Sequence, residues 1–254
     1  MKPVCLIIGA GAGIGGTVGK RFAAGGYHSV LCRRQDQEGL DRLVSDIHDA
    51  GFAASGRLLN AAKDGALEEL IEQTEKDTGP IEVVLYNLGA QIGDRSLADT
   101  PAKSFEMCWR LATLGLYRVA SAVCPAMEER GHGTLLVSSA TAAVRGNAGQ
   151  HAHAAAMGGR RMLCQSLNAE FGPKGIHVAH LLLDGAVDAP DTLGKMLGPE
   201  AFEKLRATRG REHDGLMLPE KIAESYWHIA QQHRSTWTHE MDLRSSCDLP
   251  WWND

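Results

Sequence analysis

Long apolar runs are what this chain has least of. The stretch from Val4 to Ile8 near the amino end stops at glycines, too short for the core of a secretory signal or for a membrane span. Neither a membrane partner nor export is expected, and a cytoplasmic location follows. Basic tracts are missing too: Arg33-Arg34 and Arg160-Arg161 are isolated pairs, and the formal net charge is -5. That balance leaves no electrostatic footprint for nucleic acid. Six cysteines, Cys5, Cys32, Cys108, Cys124, Cys164 and Cys247, lie far apart with no Cys-x-x-Cys pair and no histidine at metal-ligand spacing. A disulfide framework and a metal site are both unexpected, and the thiols read as reduced and mostly buried. Nothing repeats at a fixed period and no step in composition divides the chain, so 1–254 reads as a single domain.

What is present is the composition of an ordinary soluble protein: 254 residues, 44% hydrophobic and 22% charged, with 29 glycines, enough to bury a full core. Short runs rich in Val, Ile and Leu at 3–8, 29–32, 57–59, 81–86, 134–138 and 177–183 alternate with helical patterns at 13–25, 37–50, 65–78, 101–130, 151–171 and 219–233. That alternation predicts an α/β fold, a central parallel sheet with helices on both faces. Pro219 suits a first helical position. The stretch 238–243 alternates well enough to be a last strand, giving about seven in all. The least regular region, 189–218, is broken by Gly194, Gly198, Pro199, Gly210 and Gly215, and is either a lid or a surface excursion.

The first strand runs into Gly9-Ala-Gly11-Ala-Gly13-Ile14-Gly15-Gly16. A phosphate approaches a backbone closely only where side chains are absent, and the following helix offers free N–H groups and the positive end of its dipole. A glycine loop in this strand-to-helix position predicts a doubly wound, dinucleotide-binding Rossmann domain. The spacing of Gly9, Gly13 and Gly15 resembles the nucleotide loop of the short-chain dehydrogenase/reductase family, and later landmarks keep that family's order. Tyr86-Asn87-Leu88-Gly89 stands where Asn-Asn-Ala-Gly is usual, and Pro125-Ala-Met127 resembles Pro-x-Met. Ser166-Leu-Asn-Ala-Glu170, Gly175-Ile-His-Val178 and Asp184-Gly-Ala-Val187 resemble Ser-Leu-Ala-x-Glu, Gly-Ile-Arg-Val and Pro-Gly-x-Val. The resemblance spans about residues 3–245.

The resemblance implies cofactor contacts at Gly9, Gly13, Ile14 and Gly15 in the loop, at Asn60 and Ala61 after the third strand, at Asn87 and Gly89 after the fourth, and at Gly185 and Val187 after the sixth. Selectivity is normally read after the second strand, where a carboxylate takes the ribose 2′-OH of NAD and an arginine takes a 2′-phosphate. This chain has Cys32-Arg33-Arg34-Gln35 there, with Asp36 past the strand tip. Two guanidiniums suit a phosphate dianion, so NADP(H) is expected over NAD(H). Ile8 and Ala189 stand where the family has threonines that help place the cofactor.

The family's chemistry uses a Tyr acid, a Lys four residues on along the same helix face, a Ser that orients the carbonyl, and an Asn that anchors a water relay. In register with Gly149-Gln150 and Ser166-Leu167, these positions hold His153, Met157, Ala140 and Ala112. The expected activity is NADP(H)-dependent oxidoreduction of a small carbonyl or alcohol at an atypical site. An imidazole titrates at about 6.5 and passes a proton without help from a lysine. His153 is thus either the proton donor or a polar position in an alanine-rich helix. Ser139 is the candidate to hold the substrate oxygen, with Thr141 as the alternative, while Met157 falls on a packing stripe with Cys164, Leu167 and Phe171. Asp184 is a pocket group or a turn former. Two other readings stay open: a non-redox enzyme on the same scaffold, and a dinucleotide-binding protein without catalysis. The resemblance also implies a homodimer or homotetramer built on helices 101–130 and 151–171. Trp251-Trp252 would join such a contact, cover the pocket or stay disordered.

Overall fold

The computed structural model describes residues 2–89 and 91–253. Among them, seven strands form one parallel sheet: β1 (Val4–Ile8), β2 (His28–Arg33), β3 (Ala53–Leu58), β4 (Ile81–Tyr86), β5 (Gly133–Ala140), β6 (Ile176–Asp184) and β7 (Glu240–Arg244). Their order is β3-β2-β1-β4-β5-β6-β7. The chain winds outward from β1 to β3, then crosses back to β4, so the crevice at the carboxyl ends of β1 and β4 is the switch point where α/β sheets bind ligands.

The helices are α1 (Ile14–Ala24), α2 (Gln37–Asp49), α3 (Ala66–Asp77), α4 (Ala102–Trp109), α5 (Gly115–Arg130), α6 (His151–Phe171), α7 (Lys195–Leu197), α8 (Pro199–Arg209) and α9 (Pro219–Ala230). Strand side chains alternate between faces, and both faces are covered. Leu6 and Ile8 of β1 join Leu70 of α3, Val119 of α5 and Cys164 of α6 in one core. Cys5 and Ile7 join Phe22 of α1, Leu40 of α2 and Tyr226 of α9 in the other. Coverage on both sides explains why β1 reads as an unbroken apolar run rather than an alternating one. Each such Leu, Ile or Phe contributes roughly 1.5–3 kcal/mol on burial, so the sheet is a rigid platform for its loops.

Three local features depart from the sequence reading. β3 runs over Ala53–Leu58 rather than 57–59. It is an edge strand of small and half-exposed residues, which leaves no apolar run to detect. The helix expected over 101–130 is split by a widened π turn at Arg110–Leu114. That turn frees carbonyls from the helical ladder: Leu111 O accepts from Tyr86 Oη, and Ala112 O accepts from Arg160 Nε at 3.0 Å. The irregular region 189–218 is compact, comprising a π turn at Pro190–Gly194, then α7, α8 and a 3₁₀ turn at Arg211–His213. It leaves and rejoins the body through a bridge between Val187 and Met217. Five cysteines are buried and Cys247 is exposed. Among the described residues, no helix is long and apolar enough to cross a membrane.

Candidate active site

The loop after β1 is shaped by backbone constraints that only glycine meets. Gly9 has φ +106°, and a Cβ there would lie 3.0 Å from the Asn87 carbonyl. A Cβ on Gly15 would lie 2.2 Å from the Gly9 carbonyl oxygen. Asn87 pins this loop to the end of β4: its N–H donates to Ile8 O at 2.9 Å and its Nδ2 to Gly9 O at 3.0 Å. Helix α1 then begins at Ile14, with Gly13 as its N-cap and no acidic residue in the first turn. Its free N–H groups and the positive end of its dipole therefore favour an anion there.

Arg33 closes β2, and its side chain is only 11% exposed. Its Nη2 lies 3.0 Å from Asp36 Oδ2 and 3.1 Å from Asp191 Oδ2. Asp36, at φ 72°, caps α2 by accepting from Gly39 N–H at 2.9 Å. Arg34 is exposed. Asn60 is exposed, with Oδ1 accepting from Ala62 N–H at 3.2 Å, and Ala61 is buried in the core beside it. Gly89 is exposed, with open space where a Cβ would stand. Gly185 has φ +157°, and Val187 forms the bridge to Met217.

A cavity of about 440 Å³ opens at the carboxyl ends of β5 and β6, with walls that include Ala140, Thr141, Gln150, His153, Asp184 and Gly185. His153, on the first turn of α6, is 7% exposed. Ser139 is buried, and its hydroxyl donates to Met157 Sδ at 3.8 Å; Thr141 is the hydroxyl residue of that strand end in the cavity wall. Met157 and Ala112 pack in one apolar cluster with Cys108 and Ala156. A wider depression of about 720 Å³ between His28, Arg57 and Thr78 lies on the β2–β3 edge, away from the glycine loop.

The carboxyl-terminal tail borders the cavity. Trp251 N–H donates to Asp184 Oδ2 at 3.0 Å, Trp251 Nε1 donates to Asp242 Oδ2 at 3.2 Å, and Trp251 O accepts from Arg145 Nη1 at 3.0 Å. Arg244 lies over the Trp252 ring at 4.3 Å. Asp248 and Leu249 join the cavity wall, and Arg209 of α8 is paired with Asp248. Asp184 is thus a pocket group that anchors the tail as well as the end of a strand.

Two residues escaped the sequence reading. Arg160 is 1% exposed and sits on the stripe His153, Met157, Arg160, Cys164 and Leu167 along α6. Its guanidinium donates to Ala112 O at 3.0 Å, Ser138 O at 2.6 Å and Leu88 O at 2.5 Å, and lies 5.3 Å from the Tyr86 ring centre. Burial lowers its pKa. The same environment pushes the Tyr86 hydroxyl up to about 12, burial outweighing the nearby guanidinium. A cation so placed on an otherwise apolar stripe was the available signal. The second residue is Asp191, whose Oδ2 accepts from Ala12 N–H in the glycine loop at 2.7 Å. Among the described residues, no group of three metal-ligating side chains comes together.

The family model for short chain dehydrogenases matches residues 3–191. The short-chain reductase protein NovJ of Streptomyces niveus is 30% identical over 233 residues, covering 91% of this chain and 87% of its own. Among solved structures, a short-chain dehydrogenase from Rhodopseudomonas palustris has a TM-score of 0.79 at 30% identity, over 95% of this chain and 98% of its own. An alcohol dehydrogenase from the archaeon Thermococcus sibiricus, complexed with 5-hydroxy-NADP, has a TM-score of 0.81 at 21% identity over 98% of each chain, a likeness of fold.

Proposed function

The chain belongs to the short-chain dehydrogenase family, and on that footing we propose that it is an NADP(H)-dependent oxidoreductase acting on a small carbonyl or alcohol, with His153 as the proton donor. The observation that carries this reading is the position of His153 in the wall of the cavity, which Gly185 also lines, at the carboxyl edge of the sheet. When bound, the dinucleotide supplies or takes the hydride. Gly9, Gly13, Ile14 and Gly15 would hold its pyrophosphate, Asn60 and Ala61 its adenine, and Arg33 and Arg34 its 2′-phosphate. Asn87, Gly89, Gly185 and Val187 would border the nicotinamide half. His153 passes its proton to the substrate oxygen. Thr141 lines the cavity, whereas the Ser139 hydroxyl is buried on Met157 Sδ, which favours Thr141 over Ser139 as the group that holds that oxygen.

The site is atypical in a physical sense. The positions that correspond to the family's Lys and Asn hold Met157 and Ala112, packed in one apolar cluster, so neither position supplies an ammonium or an amide to the acid. That cluster also supports a second reading, a dinucleotide-binding chain without redox chemistry. Absorbance at the nicotinamide band during turnover separates the two.

Selectivity for the phosphorylated dinucleotide is proposed to rest on the guanidinium pair. Replacing both Arg33 and Arg34 with serine is expected to weaken NADPH binding by about 10- to 100-fold, the worth of one or two charge-assisted hydrogen bonds, while NADH affinity changes little. Equal effects on both dinucleotides in a calorimetric titration would remove the basis for NADP(H) preference. A homo-oligomer is also proposed. Phe105 and Trp109 of α4, Tyr117 of α5 and Met162 of α6 are large apolar side chains left between 41% and 55% exposed, on the helices where the family's subunits meet. Light scattering is expected to return at least twice the chain mass; a monomer at micromolar concentration contradicts this.

A further inference from the structure

The irregular region after β6 does not hang free. Its base is the bridge at Val187 and Met217, where Asp188 N–H donates to Met217 O and Met217 N–H donates to Ala186 O, each at 2.9 Å. From that base the chain folds across the nucleotide loop. A Cβ on Gly13 would approach the Ala189 Cβ to 2.9 Å, and a Cβ on Gly11 would approach Asp191 Oδ2 to 3.2 Å. Asp191 makes the outermost tie. One carboxylate oxygen, Oδ2, accepts from Ala12 N–H at 2.7 Å and from Arg33 Nη2 at 3.1 Å, while Oδ1 lies 3.0 Å from Lys195 Nζ.

These donors are not a random surface set. Ala12 N–H belongs to the loop that a dinucleotide's phosphates must approach, and Arg33 is the half-buried guanidinium at the tip of β2. Ala12 has a single N–H, so a carboxylate and a phosphate cannot both take it, and beside Arg33 the two anions repel each other. Partial burial alone would raise the Asp191 pKa, but the Ala12 N–H, the Lys195 ammonium and the Arg33 guanidinium outweigh it and hold the group below its ordinary value. At neutral pH it is a fixed anion in a place prepared for one. Lys195 lies four residues along the same segment. Asp36 stays behind as the cap of α2, so Arg33 keeps one carboxylate partner when Asp191 leaves.

We propose that Asp191 is a specificity-determining residue toward the dinucleotide, an internal anion that competes with a cofactor phosphate for Ala12 N–H and Arg33 and holds segment 189–215 closed until it is displaced. The proposal rests on the NADP(H) reading given above. It explains why an otherwise well-formed glycine loop is crossed by an acidic residue 179 positions away in sequence. Binding affinity is reduced by the fraction of molecules in the open, competent state. A latch that leaves about one molecule in ten open costs about tenfold in affinity, equivalent to about 1.4 kcal/mol.

The test is the affinity of the full chain for NADPH and for NADH, by calorimetry or nicotinamide fluorescence, in the wild type and in Asp191→Asn and Asp191→Ala. The expected result is a gain of about tenfold for NADH in both variants, because opening serves either dinucleotide, and a larger gain for NADPH, whose 2′-phosphate is also relieved of the Asp191 charge beside Arg33. Generic damage to the fold weakens binding, so a gain is not mimicked by misfolding. Unchanged or weaker NADPH binding, or equal gains for both dinucleotides, overturns the proposal. If the variants gain but neither they nor the wild type oxidise NADPH with any carbonyl, the latch stands and the oxidoreductase reading falls. If the wild type oxidises NADPH and the variants show no gain, the reverse holds. Absence of NADPH binding in every protein overturns both.

Discussion

Replacing His153 with alanine is expected to slow NADPH-dependent carbonyl reduction by about 10²- to 10⁴-fold, the usual worth of a general acid, while NADPH affinity stays as in the wild type. The imidazole is 7% exposed and borders the cavity at the end of β5 and β6. On the first turn of α6 it is the buried imidazole, while His151 is exposed. A glutamine at 153 retains a hydrogen-bond donor but cannot give up a proton at neutral pH. It is therefore expected to hold substrate, with KM close to that of the wild type, and to share the loss in kcat. Initial rates for the two variants against one carbonyl substrate decide the matter. A kcat for His153→Gln within about threefold of the wild type would assign His153 to positioning and not to proton transfer.

The second large effect is on stability. Replacing Arg160 with methionine keeps the apolar stem of the side chain and removes the guanidinium that joins Ala112 O, Ser138 O and Leu88 O. Those carbonyls come from the π turn, the end of β5 and the loop after β4, so one cation ties together three elements of the fold. Each carbonyl left buried without a donor costs roughly 1–3 kcal/mol. Against this, a buried cation whose hydrogen bonds go to neutral carbonyls carries a desolvation cost that the methionine does not. Taking the lower end for each carbonyl, the net loss is about 3 kcal/mol, and a chain of this size shifts by roughly 2–4 °C per kcal/mol, so Tm falls by about 6–12 °C. Scanning calorimetry measures it. An unchanged or raised Tm for Arg160→Met shows that desolvation of the guanidinium outweighs its three hydrogen bonds.

Features of the fold that depend on local pattern were legible in the sequence. Apolar runs such as Val4 to Ile8 and Ile81 to Tyr86 fix strands because both sheet faces are covered. The glycines from Gly9 to Gly15 fix the nucleotide loop because a Cβ at Gly9 or Gly15 would collide with backbone. Features that depend on distant contacts were not legible. The π turn at Arg110–Leu114 interrupts no apolar periodicity, and its freed carbonyls are met by Tyr86 and Arg160, residues remote in sequence. In the sequence Arg160-Arg161 is only an isolated basic pair, and the two diverge in the fold: Arg161 reaches Glu240 on β7 while Arg160 turns into the core. Asp191 and the Trp251 strap are likewise products of the tertiary fold, reaching Ala12 and Asp184 across 179 and 67 positions of sequence.

The most direct measurement is the absorbance of NADPH at its nicotinamide band as the full chain is mixed with a broad panel of aldehydes and ketones, with His153→Ala as the control. The predicted result is a loss of absorbance with at least one carbonyl in the wild type, reduced by about 10²-fold or more in the variant. Tight NADPH binding with no loss of absorbance for any member of the panel would contradict oxidoreductase chemistry and leave a dinucleotide-binding protein on the same fold.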